Sequence, residues 1–421
     1  MNSHFYEAFV VGTTGVFNTR DRGDHTRKRK IIAHAFSPKS VGEFEPHMTS
    51  NVRRWVGQLD RISSHPTKGG FGEFNAMPWF SYLAFDIIGD LAFGAPFGMV
   101  DKGRDETEVQ LTPGGPISYA PAVDVLNRRG EVSSTLGLLP ALRPYAAYLP
   151  DPFFTKGVSA VRNLNGIAVA AVASRIDAAE KGIKGQPDRN DILARLMQGR
   201  DANGLRMGRT EVTAEALTQL IAGSDTISNT ACAVFYWILH GERARPGSII
   251  PRLQEELDAA IPSGTDVASY AQVKHLPYLK RCIDEGMRLH STSAIGLPRI
   301  VTGTEGVNFE DAHFPPGTVL SVPSYTIHHL AEIWGDDVEE FNPERWLSLN
   351  ERQKTAFNPF SYGPRACVGQ NVAVMELQII IGTLFRRYGF VLYQEELESH
   401  EGFSKKPKEC FAGIQRRSDA E

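Results

Sequence analysis

Phe360-Ser-Tyr-Gly363-Pro-Arg365-Ala-Cys367-Val-Gly369 holds one cysteine inside a frame of phenylalanine, arginine and two glycines. A cysteine that ligates a metal works as its thiolate and has to be shielded from oxidation. Glycine removes the Cβ that would keep the backbone away from a flat ring system. Backbone N–H groups around the sulfur tune its electron density, as outer donors do at any metal. Phe360 can shield the sulfur, and Arg365 offers a planar fork to a carboxylate at a cofactor's edge. Taken alone, Cys367 reads as an ordinary buried free cysteine, which is a common core residue. The complete F-x-x-G-x-R-x-C-x-G frame reads as a ligand loop.

Working outward, the chain has 421 residues, 42% apolar and 22% charged, an ordinary globular balance. Length alone suggests about three domains. The motifs below span most of the chain and need one shared cavity, so residues 1–421 are expected to form a single domain. The net charge of −4 argues against nucleic acid as a partner. Cys232, Cys282, Cys367 and Cys410 are too sparse for a disulfide scaffold or a paired-cysteine zinc site, which fits a reducing, cytosol-facing compartment. No run of 18 apolar residues suggests a transmembrane helix. The opening Met-Asn-Ser-His-Phe-Tyr-Glu lacks the basic flank and apolar core of a signal peptide.

The pattern predicts a mostly helical protein with a minor sheet. Helices are expected over His25–Phe36, Pro78–Phe93, Val158–Lys181, Leu253–Ile261, Leu276–His290 and Val372–Tyr388. Asp191 reads as an N-cap. Residues 101–120 and 182–190 read as polar loops, and 136–152 as a proline-rich connection. Short strands are expected between Leu297 and Val322, and again in the tail. The longest helical pattern runs from Thr213 to His240, with Leu217, Leu220 and Ile221 at helical spacing. It contains Ala222-Gly223-Ser224-Asp225-Thr226, residues poorly suited to a helix interior. Either a helix stops at Gly223 and a new one is capped by Ser224 or Asp225, or one distorted helix carries a functional face. The apolar run onward through Ile227, Ala231 and Val234 favours the second.

Glu285 and Arg288 stand three apart on one helical face and can pair. His25-Thr-Arg27-Lys28-Arg29-Lys30 is a dense basic run that could be a solvated face or a nucleic-acid patch. His328-His329 invites a metal reading, but neighbours on a strand point to opposite faces, so both are expected to be structural.

The cysteine frame, the Glu285-Gly-Met-Arg288 motif and Phe341-Asn-Pro-Glu-Arg345-Trp346, in that setting, resemble the cytochrome P450 superfamily. The resemblance implies a haem b cofactor with Cys367 as the axial iron ligand. It implies a structural triad of Glu285, Arg288 and Arg345, with haem carboxylates met by His25, Arg29, Arg299 and Arg365, and Phe360 against the sulfur. Asp225 and Thr226 would be the acid–alcohol pair that relays protons to oxygen; many relatives carry a second hydroxyl residue where this chain has Ile227. The other basic residues of 25–30 would dock an acidic electron donor.

Longer segments are similar to fungal benzoate 4-monooxygenases: Trp79 to Gly98, Leu217 to Thr226, His290-Ser-Thr-Ser293 and Ser324 to His329. The resemblance then implies a monooxygenase that inserts one atom of dioxygen into a small aromatic acid, with benzoate giving 4-hydroxybenzoate. Electrons would come from NADPH through a separate cytochrome P450 reductase, on the cytosolic face of the endoplasmic reticulum membrane. Ser291, Thr292 and Ser293 are candidate donors to the substrate carboxylate. A different hydrophobic substrate, or an inactive haem-binding remnant, stays open. Two departures support the remnant. Only 24 residues precede His25, where relatives place an anchor and the first sheet strands, and Gly241–Pro251 interrupts a connection that is more direct in relatives. Both are expected to mark an incomplete or imperfectly assembled chain.

Overall fold

The computed structural model describes residues 1–10, 12–112, 115–180 and 189–418. After a 3-10 turn at His4–Phe9 come α1 (Arg22–Ala33), α2 (Pro38–Gly42), α3 (Glu45–Ser63), β1 (Gly72–Asn75) and α4 (Ala76–Phe93). Then follow α5 (Met99–Lys102), β2 (Thr107–Val109), β3 (Ser118–Ala120), α6 (Ala122–Leu138), α7 (Pro152–Glu180), α8 (Ile192–Gln198) and α9 (Arg209–Ala244). The second half holds α10 (Ile250–Ala260), α11 (Tyr270–Val273), α12 (Pro277–Leu289) and the short strands β4 (Arg299–Ile300), β5 (Val307–Phe309), β6 (Ala312–Phe314) and β7 (Val319–Leu320). It ends with α13 (Ser324–His328), α14 (Ala331–Trp334), α15 (Glu351–Ala356), α16 (Gln370–Arg387), β8 (Tyr388–Leu392), β9 (Ser399–Glu401), β10 (Lys405–Pro407) and β11 (Phe411–Arg416). The expected mainly helical architecture with small sheets is what the chain adopts.

α9 is the axis of the fold. At about 1.5 Å per residue its 36 residues span roughly 54 Å. It does not stop at Gly223 and contains no π turn. Glycine there costs about 1 kcal/mol relative to alanine, and the packing shows why it is needed. A Cβ on Gly223 would lie 2.7 Å from Ile88 Cδ1 of α4. Gly223 therefore lets α4 and α9 approach. α4 is apolar nearly all round and almost wholly buried, as expected of a helix packed on every side. Asn75 caps its start and Gly94, at φ +91°, ends it. One apolar core runs from Val16 to Ile414 and draws on α1, α3, α4, α9, α12 and α16. The largest sheet is β1-β11-β8, antiparallel, with Phe74 opposite Ala412 and Gly413 opposite Val391.

Several expectations change. The basic helix begins at Arg22 and gives way to a 3-10 turn at His34–Phe36; Ser37 then caps α2 instead of closing the chain segment. Residues 101–120 include α5 and the β2–β3 hairpin. His328 ends α13, so the histidine pair sits on a helix end and not on a strand. The Gly241–Pro251 segment is an ordered connection. The Glu242 carboxylate accepts from the N–H groups of Gly247, Ile249 and Ile250, and Pro251 lies in the first turn of α10, where no amide is needed. Residues 182–188 of the expected charged loop lie outside the described residues.

Candidate functional site

The cysteine loop joins α15 to α16. Ser361 at φ +59° and Gly363 at φ +74° turn the chain, and the Cys367 N–H closes the loop on the Phe360 carbonyl at 2.8 Å. Phe360 itself packs on the main core. Cys367 therefore sits three residues before the positive end of α16. Burial pushes its thiol up, while the Gly369 N–H and the Arg29 guanidinium oppose that shift by favouring the thiolate. The sulfur lies deep among protein atoms, yet Cys367 is solvent-reachable, whereas Cys232, Cys282 and Cys410 are buried. A Cβ on Gly369 would stand 3.9 Å from the Cys367 sulfur and 3.9 Å from Phe36, an ordinary contact distance.

Cations converge beside this loop. Burial, then Arg365, Arg29 and Arg299, push His25 down to about 4, so it is neutral at pH 7. Burial and the neighbouring Arg299 lower Arg365 to about 10. Arg365 donates to the Thr19 carbonyl at 2.8 Å, and Arg299 to Asn2 Oδ1 at 2.8 Å and to the Tyr6 hydroxyl. Among the described residues neither arginine meets a carboxylate. Two partly buried guanidiniums beside each other call for an anion. Arg29 turns to the Ala366 carbonyl at 2.7 Å, bracing the cysteine loop. A reachable thiol and a cationic rim without a carboxylate among the described residues fit a flat iron cofactor with carboxylate arms. The site would hold haem through Cys367, with Arg299, Arg365 and His25 at its carboxylates.

The rest of the basic run is not an open dock. Lys28 is buried, with Nζ 3.0 Å from Glu211, and Arg27 pairs with Asp24 and Glu211. Of the run from His25 to Lys30, only Thr26 and Lys30 stay exposed.

On α9, Ala222 and Thr226 are solvent-reachable while Ser224, Ile227 and Ser228 are buried. They are one turn apart on one face, and the Thr226 hydroxyl donates to the Ala222 carbonyl at 2.6 Å. The room on this face comes from Ala222, since Gly223 is spent on α4. Asp225 keeps Oδ1 without a hydrogen bond, 3.9 Å from Lys406 Nζ of β10. Lys406 in turn donates to Asn127 Oδ1 of α6 at 3.0 Å. Burial lowers Lys406, and Asp225 opposes that. Thr230, one turn past Thr226, meets the Thr292 hydroxyl at 3.0 Å. Ser291 is bound to His328 Nδ1 at 2.6 Å, so it is taken, and Ser293 alone of the three hydroxyl residues is exposed.

Behind the site, Glu285 and Arg288 are fully buried and joined by two bonds of 2.9 Å. Arg345 Nε reaches Glu285 at 3.3 Å. The Asn342 N–H at 3.1 Å and the Trp346 indole at 3.0 Å complete the carboxylate's partners. The role of Trp346 was missed in the sequence, although it stands beside Arg345. Lys406 was missed as well, since a lysine in a tail strand gives no sign of facing Asp225. His329 pairs with Glu339 and stacks on Tyr325; no metal-binding group of histidine, cysteine or carboxylate residues occurs among the described residues. A separate cavity of about 370 Å³ opens between α7 and the first half of α9, lined by Asn165, Val169, Thr213 and Leu217. It includes none of the residues above.

A family model described as Cytochrome P450 matches residues 1–411. The chain is 54% identical to the benzoate 4-monooxygenase bphA of Aspergillus niger, over 99% of this chain and 80% of that protein. It is 30% identical to the cytochrome P450 monooxygenase pkfB of Emericella nidulans, over 95% of this chain and 75% of that one. A cytochrome P450 monooxygenase of Aspergillus terreus is 28% identical, over 92% and 76%.

Proposed function

The chain belongs to the cytochrome P450 family, and from that premise we propose that it hydroxylates benzoate para to the carboxylate. It is a haem monooxygenase that takes electrons from NADPH through a separate reductase. The observation that carries the substrate is the 54% identity to the Aspergillus niger protein across nearly the whole chain. The four cysteines are free, which supports a place on the reducing, cytosolic side of the endoplasmic reticulum membrane. Among the described residues no helix is long and apolar enough to cross a membrane.

Haem, when bound, supplies the redox chemistry that splits dioxygen. The protein's own groups prepare and feed that chemistry. Arg29 and the Gly369 N–H favour the Cys367 thiolate. The Thr226 hydroxyl donates a hydrogen bond to the Ala222 carbonyl, which leaves the Oγ lone pairs free to accept one. Asp225, with one oxygen unbonded, is positioned to hand a proton on through Thr226. Lys406 Nζ stands 3.9 Å from that carboxylate as its counter-charge.

The test is benzoate titration of haem-loaded protein, followed by turnover with a reductase and NADPH. Benzoate should shift the haem toward high spin and give 4-hydroxybenzoate, whereas long-chain fatty acids should do neither. A loaded protein whose spectrum ignores benzoate would sink the substrate and leave the monooxygenase standing.

A further inference from the structure

Arg129 is the buried cation that the site has not used. It lies on α6, 4% exposed. A guanidinium carries five N–H donors. Among the described residues its only hydrogen bond is from Nη2 to the Phe9 carbonyl, at 3.1 Å. Its Nε has no hydrogen-bond partner among the described residues. No carboxylate pairs with it among the described residues. Other buried cations here are provided for: Lys406 by Asp225 and Asn127, Arg288 by Glu285, Lys28 by Glu211. Burying a charge without a counter-charge is strongly unfavourable, so a persistent one marks a place where an anion arrives.

The surroundings say which anion. The guanidinium lies 5.0 Å from the centre of the Phe9 ring. Phe9 packs on Phe403 at 4.9 Å and on Phe17 at 5.8 Å. A Cβ on Gly130, the next residue of α6, would be 3.5 Å from Phe403. Phe403 is the tip of the β9–β10 hairpin. That hairpin is tied toward the Thr226 face of α9 by the Lys405 N–H on the Thr292 carbonyl at 2.9 Å and by the Thr292–Thr230 contact. Leu297, two residues before Arg299, packs on the same aromatic group. Edges and faces of three phenylalanines accept a benzene ring, and a forked cation beside them accepts a carboxylate by two parallel bonds.

We propose that Arg129 is the anchor for the substrate's carboxylate, with Phe9, Phe17 and Phe403 holding the ring. This rests on the aromatic-acid reading above and names the residue that gives it selectivity. Arg129 replaces the Ser291-Thr292 hydroxyls in that role, because those two are bonded to His328 and Thr230.

The experiment titrates haem-loaded wild type, Arg129→Met and Arg129→Lys with benzoate and with benzamide, reading the spin shift, and melts each protein without substrate. Removing one partner of a buried charge pair costs about 2 kcal/mol or more, so Arg129→Met should weaken benzoate about 30-fold or more and leave benzamide unchanged. Without substrate it should melt no lower than wild type, since it loses an unpaired buried charge. Arg129→Lys keeps the charge but not the fork and should show a smaller loss confined to benzoate; it also serves if the Met variant fails to load haem. Equal loss for both ligands, or benzoate binding unchanged, overturns the assignment to Arg129 while the substrate reading stands. If wild type itself ignores benzoate, both fall together.

Discussion

Glu285→Ala is the perturbation whose size the structure sets most closely. The carboxylate is fully buried and accepts from Arg288 twice, from Arg345, from the Asn342 N–H and from the Trp346 indole. Alanine strands all of these donors. Arg288 is 0% exposed; it keeps the carbonyls of His328 and Glu340 but loses its only carboxylate among the described residues. Breaking a buried pair in this way costs about 3–5 kcal/mol. Arg345 loses less, because Asp337 remains at 2.8 Å. Whole domains are stable by only about 5–15 kcal/mol, so the change removes a large share of the total. The control is Asp337→Ala, a half-exposed partner whose loss should cost about 1 kcal/mol or less. Denaturant midpoints and the yield of haem-loaded protein measure both. A Glu285→Ala protein that loads haem normally and unfolds within about 1 kcal/mol of wild type would refute the reasoning.

Two other outcomes follow from the same geometry. Thr226→Ala should bind benzoate as wild type does yet form at least severalfold less product per NADPH consumed, with hydrogen peroxide making up the difference; unchanged coupling would remove Thr226 from the relay. Glu376 on α16 is buried with Oε1 unpartnered, and burial raises it to about 8. The unfolded carboxyl releases its proton near about 4.3, so between that point and about 8 the folded chain holds the extra proton and stability falls as pH rises. Glu376→Gln should flatten that decline and gain on the order of a few kcal/mol at pH 8; denaturant midpoints from pH 5 to 9 that run parallel to wild type would contradict it.

What could be read in the sequence was local. The cysteine frame occupies ten consecutive residues, and Glu285 and Arg288 share one helical turn, so spacing alone brings them together. The helix around Leu217 was legible from apolar periodicity, and the one around Phe85 from its run of aromatic and aliphatic residues. Gly223 was legible as an anomaly but not in its cause, because Ile88 lies 135 positions away. A separation of 181 positions hides Lys406 from Asp225. Arg129 was harder still, since its signal is the absence of an acidic neighbour in space, and no stretch of sequence displays an absence. The partners of Ser291 and Thr292, His328 and Thr230, come from other helices, so their own stretch did not display them. The Gly241–Pro251 connection looked defective by its prolines, when Glu242 and the first turn of α10 accommodate them.

α1 touches two things at once. Arg29 holds the cysteine loop through the Ala366 carbonyl, while Arg27 and Lys28 hold α9 through Glu211. The helix is thus a gauge block between the cysteine loop and the start of α9, and its ion pairs tie the two together. Shortening one jaw, as in Glu211→Asp, would change that tie without altering any residue that faces the reaction. Variation at Glu211 or Lys28 therefore alters the tie between α1 and the start of α9 while the Arg29 bond to the cysteine loop stays as it is.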